Sequence, residues 1–564
     1  MRKKLKTATC LTRLEAIKTV FNEDSGRDKL QLLNVLNRGR LTTSNQVRHL
    51  HDLLCFICAY PDSREIYQTA DTMLQNFGKR GDLKQHRKAL ANSGIAGTTV
   101  DYQFYWPMAR WLAHHWPEQL RLLWSDIEDE EKLIKILQLL VSQVEAGAFD
   151  EFDCNAMTWI EQLKGPAETD AVFYVKRLES AFSNDFEREA IHDDLNLSYR
   201  LLPGPTTPDI NTAKFKQGPI VFQSAPLQHQ RPVLTQALHE INYICRQLSS
   251  AEGRTLVNLA RMTMVTHERD LDVFSYGNAA DVTLFDFRDG YQIASIGFIP
   301  ERRYLLHATY GFLNLKNGLP IGYFPLSTVF RTADVAFNLF SAFRGGEASL
   351  VYTRNLAISH RVYGVNTFIV DPYQLGYNNK DGLKSGVWWF YYKLGFRPRD
   401  SGVRKLLRRE LAQMKRVPGY RSDLATLNKL ASGSMYFNID GSFDDHDVLS
   451  SLSSIAPGIS AYLACRFGSE REKGLRTCSI EAAKKAGVPD IRKFSADERR
   501  AWQRWSPLLL NLGNIERWPV ADRRALVRLV RAKGKQRETG YLSLANSHKR
   551  LKDAVLNFIT RVNQ

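Results

Sequence analysis

Cysteine is scarce in this chain: 7 residues in 564, an odd number at irregular spacing. That argues against a disulfide framework and fits a reducing cytosol. Long apolar runs are missing too. No stretch approaches the roughly 18 apolar residues of a membrane-spanning helix, and none is expected. The N-terminus, MRKKLKTATCLTRLEAIKTVF, is basic but lacks the apolar centre of a secretory signal. A cytoplasmic location is expected from these features together. No period of 20–50 residues recurs, which argues against a solenoid. Zinc-type spacing is absent as well. Cys55-Phe-Ile-Cys58 has His49 and His51 just upstream, yet no second ligand pair follows, and the run Leu53–Tyr60 is apolar. The pattern reads as a buried helix face, with no metal site.

What is present is a normal globular composition with an excess of positive charge, 77 Lys+Arg against 60 Asp+Glu, or +17. The length calls for two or three domains. The charge attracts anions: nucleic acid, a phosphorylated cofactor, an acidic carrier protein or a membrane surface. Residues 1–200 read as helical, with apolar residues at helical spacing over Leu14–Phe21, Leu30–Leu36, Val47–Tyr60 and Lys132–Val144. Trp106, Trp111, Trp116 and Trp124 have only Arg110 and Arg121 among them, which suits a helix interface better than a base-stacking surface. The proline-rich stretch 201–233 reads as an extended connector. A helix is expected over Leu234–Val265. Two hairpins follow, Asp281–Phe298 turning at Asp289-Gly290 and Tyr304–Val329 turning at Asn317-Gly318.

Next comes Ala333–Phe396. It reads as a strand over Ala333–Phe343, a break at Arg344-Gly345-Gly346, and a helix opened by Glu347 and closed by Gly364. A strand over Val365–Val370 and a short helix ending Lys-Leu-Gly-Phe complete it. Glycines between a strand and a helix N-terminus suit phosphate. From Arg397 the chain is basic, with dense Arg and Lys to Arg416 and again over Asp522–Arg537. The stretch 420–460 is polar and turn-rich, and the chain turns helical again from about Ile459. The expected architecture is thus multidomain α and α+β. A helical region (1–200) and connector (201–233) lead into a central α+β domain with a mixed sheet (234–400), then a basic, mainly helical region (401–564).

Phe390-Tyr391-Tyr392-Lys393-Leu394-Gly395-Phe396, with the strand, glycine turn and helix before it, resembles the acyl-CoA N-acyltransferase superfamily. That family includes many histone and aminoglycoside acetyltransferases. The resemblance covers about 270–400. It implies acyl-CoA as co-substrate, its diphosphate held by Phe343, Arg344, Gly345, Gly346, Glu347 and Ala348. A carboxylate at Glu347 would repel phosphate unless it points away; its plainer role is to stabilise the helix start. The resemblance makes Tyr391 the acid that protonates the departing thiolate, or Tyr392 if the register slips by one. Splayed strands near the turn would expose backbone N–H groups to the thioester carbonyl. His307, Asp334 and Asp371 are candidate bases. Gln374, Tyr377 and Asn378 border the implied acceptor pocket.

The leading expectation is an acyltransferase moving an acyl group from acyl-CoA, or a carrier-protein thioester, to an amine by direct attack. A second reading is a non-catalytic binding protein on the same scaffold, motivated by the altered turn and by Lys384 where the family often has asparagine. A third is nucleic-acid binding through the basic runs, although no recognition motif accompanies them. The same basic surface could dock an acidic acyl carrier protein.

Overall fold

The computed structural model describes residues 7–216, 218–441, 449 and 452–564. Helices Thr7–Ile17, Glu23–Arg38, Ser44–Ala59 and Arg64–Gln75 open the chain. Asn22, Thr43 and Ser63 cap the last three, each side-chain oxygen accepting the N3 amide. Trp106, Trp111 and Trp116 are buried, as helix-interface residues should be. The expected helix over Lys132–Val144 is two, Glu130–Leu140 and Gln143–Glu151, because Ser142 and Glu145 form a capping box that restarts the helix.

Residues 1–200 are not purely helical. Strands β1 (Val100–Gln103), β2 (Leu120–Leu122) and β3 (Ser198–Leu201) make a small antiparallel sheet ordered β1-β3-β2. Arg200 faces Asp101 across it, with Nη2 to Oδ2 at 2.6 Å. Strands this short, paired at long range, leave no periodic trace in the sequence. Beyond Leu201, which ends β3, the connector carries turns but no helix or strand among its described residues. It lies over the chain, with Phe215 N–H donating to Gly318 O and Gln223 N–H to Pro61 O.

The single helix expected over Leu234–Val265 is divided. Helix Leu234–Glu240 gives way to β4 (Ile244–Gln247), and a Ser249/Glu252 capping box starts helix Ser250–Thr266. Strands β5 (Gly277–Asp286), β6 (Tyr291–Phe298), β7 (Ala308–Lys316) and β8 (Leu319–Val329) continue from β4 as antiparallel neighbours. Asn317 and Gly318 both have positive φ, 48° and 79°, so the β7–β8 turn has the twist a tight hairpin needs. Every residue of β6 and β7 is buried, so these strands read as apolar runs, not as alternations. Strand β9 (Thr332–Val335) pairs antiparallel with β8 and parallel with β11 (Thr367–Val370), and β10 (Asn338–Leu339) returns to β8. Strands β12 (Arg397–Pro398) and β13 (Met435–Asn438) complete the order β12-β13-β11-β9-β8-β7-β6-β5-β4. The sheet is mixed, with β9/β11 its parallel pair. No helix among the described residues is long and apolar enough to cross a membrane.

The last 110 residues are helical, from Ile455–Phe467 to Lys549–Val562. The turn-rich 420–460 holds helix Leu424–Leu430 and β13; part of it lies outside the described residues. The two basic runs behave differently. In helix Ser401–Arg416, Val403 and Leu407 are buried while Arg404, Lys405, Arg408, Arg409, Lys415 and Arg416 face solvent. In the run 522–537, Lys533 is buried and Arg531 pairs with Glu498 at 3.1 Å. Only the first is a solvated basic face along its length.

A buried charged cluster fastens the C-terminal helices to the sheet. Arg303, Lys533, Glu538 and Asp281 are each at most 4% exposed. Lys533 Nζ lies 2.5 Å from Glu538 Oε1 and donates to His307 O at 2.8 Å. Arg303 donates to Lys533 O and Gln536 O, both at 2.8 Å, and Asp281 accepts the Glu538 N–H at 3.0 Å. Burial pushes the Asp281 carboxyl up to about 6, above its usual range, against the pull of the Glu538 amide and Arg303. A folded-state pKa above the unfolded value means stability present at low pH and lost as pH rises through the folded value. Stability should therefore fall between about pH 4 and 6 through this one group. Asp281→Asn should remove that slope in thermal melts taken across the window; a wild-type-like slope in the variant would assign it elsewhere.

Candidate site at the parting of the parallel strands

Strands β9 and β11 stay together for three register pairs, Thr332–Asp334 against Thr367–Ile369. Beyond Asp334 they separate. The chain after Val335 keeps to β8, pairing Asn338 with Tyr323, while β11 keeps to β13, pairing Val370 with Met435. A wedge results, with Asp334 where it begins and Asp371 just past the end of β11. The predicted strand Ala333–Phe343 is thus corrected. It is β9, a kink at Ala336-Phe337, β10, and a 3₁₀ turn Ser341–Phe343. Of the aromatic residues that suggested one long strand, Phe337 packs on Tyr352 with ring centroids 5.1 Å apart, while Phe340 stacks on His267 and Phe343 is buried.

Helix Val387–Lys393 brings Tyr391 to this place. Its ring is 1% exposed and meets Tyr352 (5.5 Å) and Phe396 (5.6 Å) edge-on. Burial, then the carboxylates of Asp371 and Asp334, push the phenol well above its ordinary value. A phenol in that setting keeps its proton, as a general acid must. Tyr392 faces elsewhere, stacked on Trp388 with Arg397 over its ring at 4.3 Å. Of the two tyrosines, Tyr391 is the one beside the carboxylates.

His307 is not brought to the wedge. It precedes Ala308, which the register aligns through Thr328 and Ala333 with Phe368, whereas Asp371 follows the far end of β11. Three strand spacings, roughly 14 Å, and the length of β11 separate them. Burial, with Lys533 nearby, pushes the imidazole down to about 4. Among the predicted bases, Asp334 and Asp371 are the ones at the wedge. Asp371 Oδ1 accepts the Gln374 N–H at 3.1 Å, holding the start of the loop that carries Tyr377 and Asn378, both exposed. Gln374 is half-buried in that turn.

The glycine turn is covered. Tyr60, at the end of helix Ser44–Ala59, places its hydroxyl against the turn, within electrostatic reach of the Glu347 amide. A Cβ at Gly346 would lie 2.9 Å from that oxygen. The Glu347 carboxylate points away from the turn mouth, accepting Gln228 N–H at 3.1 Å and lying 3.9 Å from Lys316 Nζ. Glu347 occupies the N-cap position without making a side-chain cap. Gly346 N–H is spent on Phe343 O at 3.0 Å. Arg344 and Gly345 are exposed, Ala348 is half-buried and Phe343 is buried. The tyrosine cover could not be read in the sequence, because Tyr60 and Gly346 lie on separate regions of the chain. No family model, curated protein or solved structure matches this chain.

Proposed function

We propose that the protein is an N-acyltransferase, passing an acyl group from acyl-CoA or a carrier-protein thioester to an amine by direct attack. The observation that carries this reading is the wedge between β9 and β11, with the Tyr391 hydroxyl in the combined field of Asp334 and Asp371. A parallel pair that parts leaves backbone N–H and C=O groups unpaired at its mouth, where a thioester carbonyl can be polarised. The amine loses its proton to Asp371 or Asp334, and its nitrogen bonds to the carbonyl carbon. The C–S bond breaks, and Tyr391 supplies a proton to the thiolate. The solvated basic helix Ser401–Arg416 suits a phosphorylated or acidic donor. The measurement is release of free thiol from a panel of acyl-CoAs by the purified chain with amine acceptors. No turnover and no CoA affinity in calorimetry would sink the proposal.

The tyrosine cover favours a second reading, in which the scaffold binds without catalysis. The two separate on one variant. If the turn receives a diphosphate, Tyr60→Phe takes the covering hydroxyl off the turn and CoA should bind several-fold more tightly by calorimetry. Unchanged or absent CoA binding would favour the non-catalytic scaffold.

A further inference from the structure

A second cavity, of about 200 Å³, lies between the N-terminal helices and the end of β10. Helix Ser44–Ala59 contributes Arg48, His51, Asp52 and Cys55 to its wall. His51 and Cys55, four residues apart, share one face of that helix. Both are 1% exposed, so the cavity is their contact with anything outside the core.

The hydrogen bonds fix the imidazole. Asn211 Oδ1 accepts Ala96 N–H at 2.9 Å and Asn211 Nδ2 donates to Leu74 O at 2.9 Å, which sets the amide's orientation. His51 Nε2–H therefore donates to Asn211 Oδ1, at 3.2 Å. Nδ1 is left as the titrating nitrogen, 3.7 Å from Asp52 Oδ1. Cys55 Sγ lies 3.9 and 4.0 Å from the two ring nitrogens, close enough for strong electrostatic support. Burial opposes a charge on His51, but Cys55 and Asp52 outweigh it and hold the imidazole up to about 10. Cys58, one turn on, makes a contrast: burial pushes its thiol up to about 12, and it does not line the cavity.

Other charges face this pair from every side. Asp209 and Lys214 lie within electrostatic reach behind it, both partly exposed. Across the cavity His267 is kept neutral, pushed down to about 4 by burial, with its ring stacked 3.6 Å from Phe340. Glu268, Arg269 and Arg344 complete the wall, so with Arg48 three guanidinium groups meet two carboxylates there.

We propose that Cys55 is a nucleophilic thiolate, paired with the imidazolium of His51, in a cavity that admits small anionic acyl donors. Its Sγ bonds to the donor's carbonyl carbon, and the bond from that carbon to the leaving group breaks. The leaving group takes the Nδ1 proton of His51, giving S-acyl-Cys55 and a neutral imidazole. A thiol held beside an imidazole on a cavity wall is the reactive kind of cysteine. This site shares Arg344 with the glycine turn but none of Tyr391, Asp334 and Asp371, and does not depend on the reading of the wedge.

The test is timed alkylation of the full chain with iodoacetate and with iodoacetamide at pH 6 and pH 8, read by peptide mass spectrometry, with exposed Cys245 and Cys465 as internal references. An ordinary thiol slows about 100-fold over those two pH units. Cys55 should change by no more than about threefold, and should prefer the anionic reagent. His51→Gln should restore the steep pH dependence, and Arg344→Ala, an exposed substitution, should cut the preference for iodoacetate. Acetyl phosphate should leave an acetyl group on Cys55 that hydroxylamine removes. Cys55 that stays unlabelled in the native chain, or follows the pH slope of Cys245, overturns the thiolate. A labelled Cys55 that never accepts the acetyl group overturns the acyl-donor assignment.

Discussion

Under the proposed acyl transfer, replacing Tyr391 by phenylalanine should lower thiol release from acyl-CoA by on the order of 10²-fold, the usual contribution of a positioned acid, while leaving CoA affinity in place. The expectation rests on where the hydroxyl sits. The ring is packed by Tyr352 and Phe396, contacts that phenylalanine keeps, so the substitution removes the proton source with little loss of packing. Its neighbour is the control. Tyr392 stacks on Trp388 under Arg397, away from both carboxylates, so Tyr392→Phe should keep turnover within a few-fold. Equal loss in both variants would mean that the helix, not the hydroxyl, matters. Full activity in Tyr391→Phe would remove the acid from the mechanism. Asp371→Asn and Asp334→Asn then separate the two bases: the one that matters depresses turnover at neutral pH without weakening CoA binding.

The largest stability effect belongs to the buried cluster under the C-terminal helices. Glu538→Ala should cost about 3–5 kcal/mol, the range for removing one partner of a buried ion pair. It leaves Lys533 at 4% exposure without its carboxylate at 2.5 Å, and Arg303 without its neighbour at 3.6 Å. Burial already lowers the Lys533 ammonium to about 8 even with Glu538 beside it, so without that partner the side chain must deprotonate or draw in water. Denaturant titration followed by tryptophan fluorescence reports the loss, since Trp502 and Trp505 are buried in these helices. The double variant Glu538→Leu with Lys533→Met should recover much of it, because an apolar pair of similar volume avoids the desolvation cost. If the single variant is nearly neutral, water already reaches the cluster.

Much of the central fold could be read from local chemistry. Asp289-Gly290 and Asn317-Gly318 announced the hairpins, and Gly364, at φ 71°, closes its helix in the left-handed conformation expected of a C-terminal glycine. The Phe-Tyr-Tyr run offered Tyr391 and Tyr392, and helix Val387–Lys393 buries the first against Tyr352 while stacking the second on Trp388. Features made by distant partners escaped. The β1-β3-β2 sheet joins segments about 100 residues apart, with Asp101 facing Arg200. Tyr60 covers Gly346 from another region, and the Asn211 amide that orients His51 is 160 residues from it. Local pattern also misled at Ala333–Phe343, where aromatic residues that extend a strand and aromatic residues that pack against helices after the chain leaves the sheet look alike. The CxxC run hid its asymmetry for a similar reason: an apolar helix face gives no sign that one thiol borders a cavity and the other does not.

The cluster around Arg303 also sets a timetable for synthesis. Arg303 and the carbonyl of Lys533 that it binds are 230 residues apart. At about 5–20 residues per second, the ribosome delivers the second roughly 10–45 s after the first. Throughout that interval the sheet has its arginine and Asp281 with no lysine or Glu538 to meet them, so the emerging β4–β8 layer cannot close its own underside. The nascent chain must wait, with an open charged face, for its last helices.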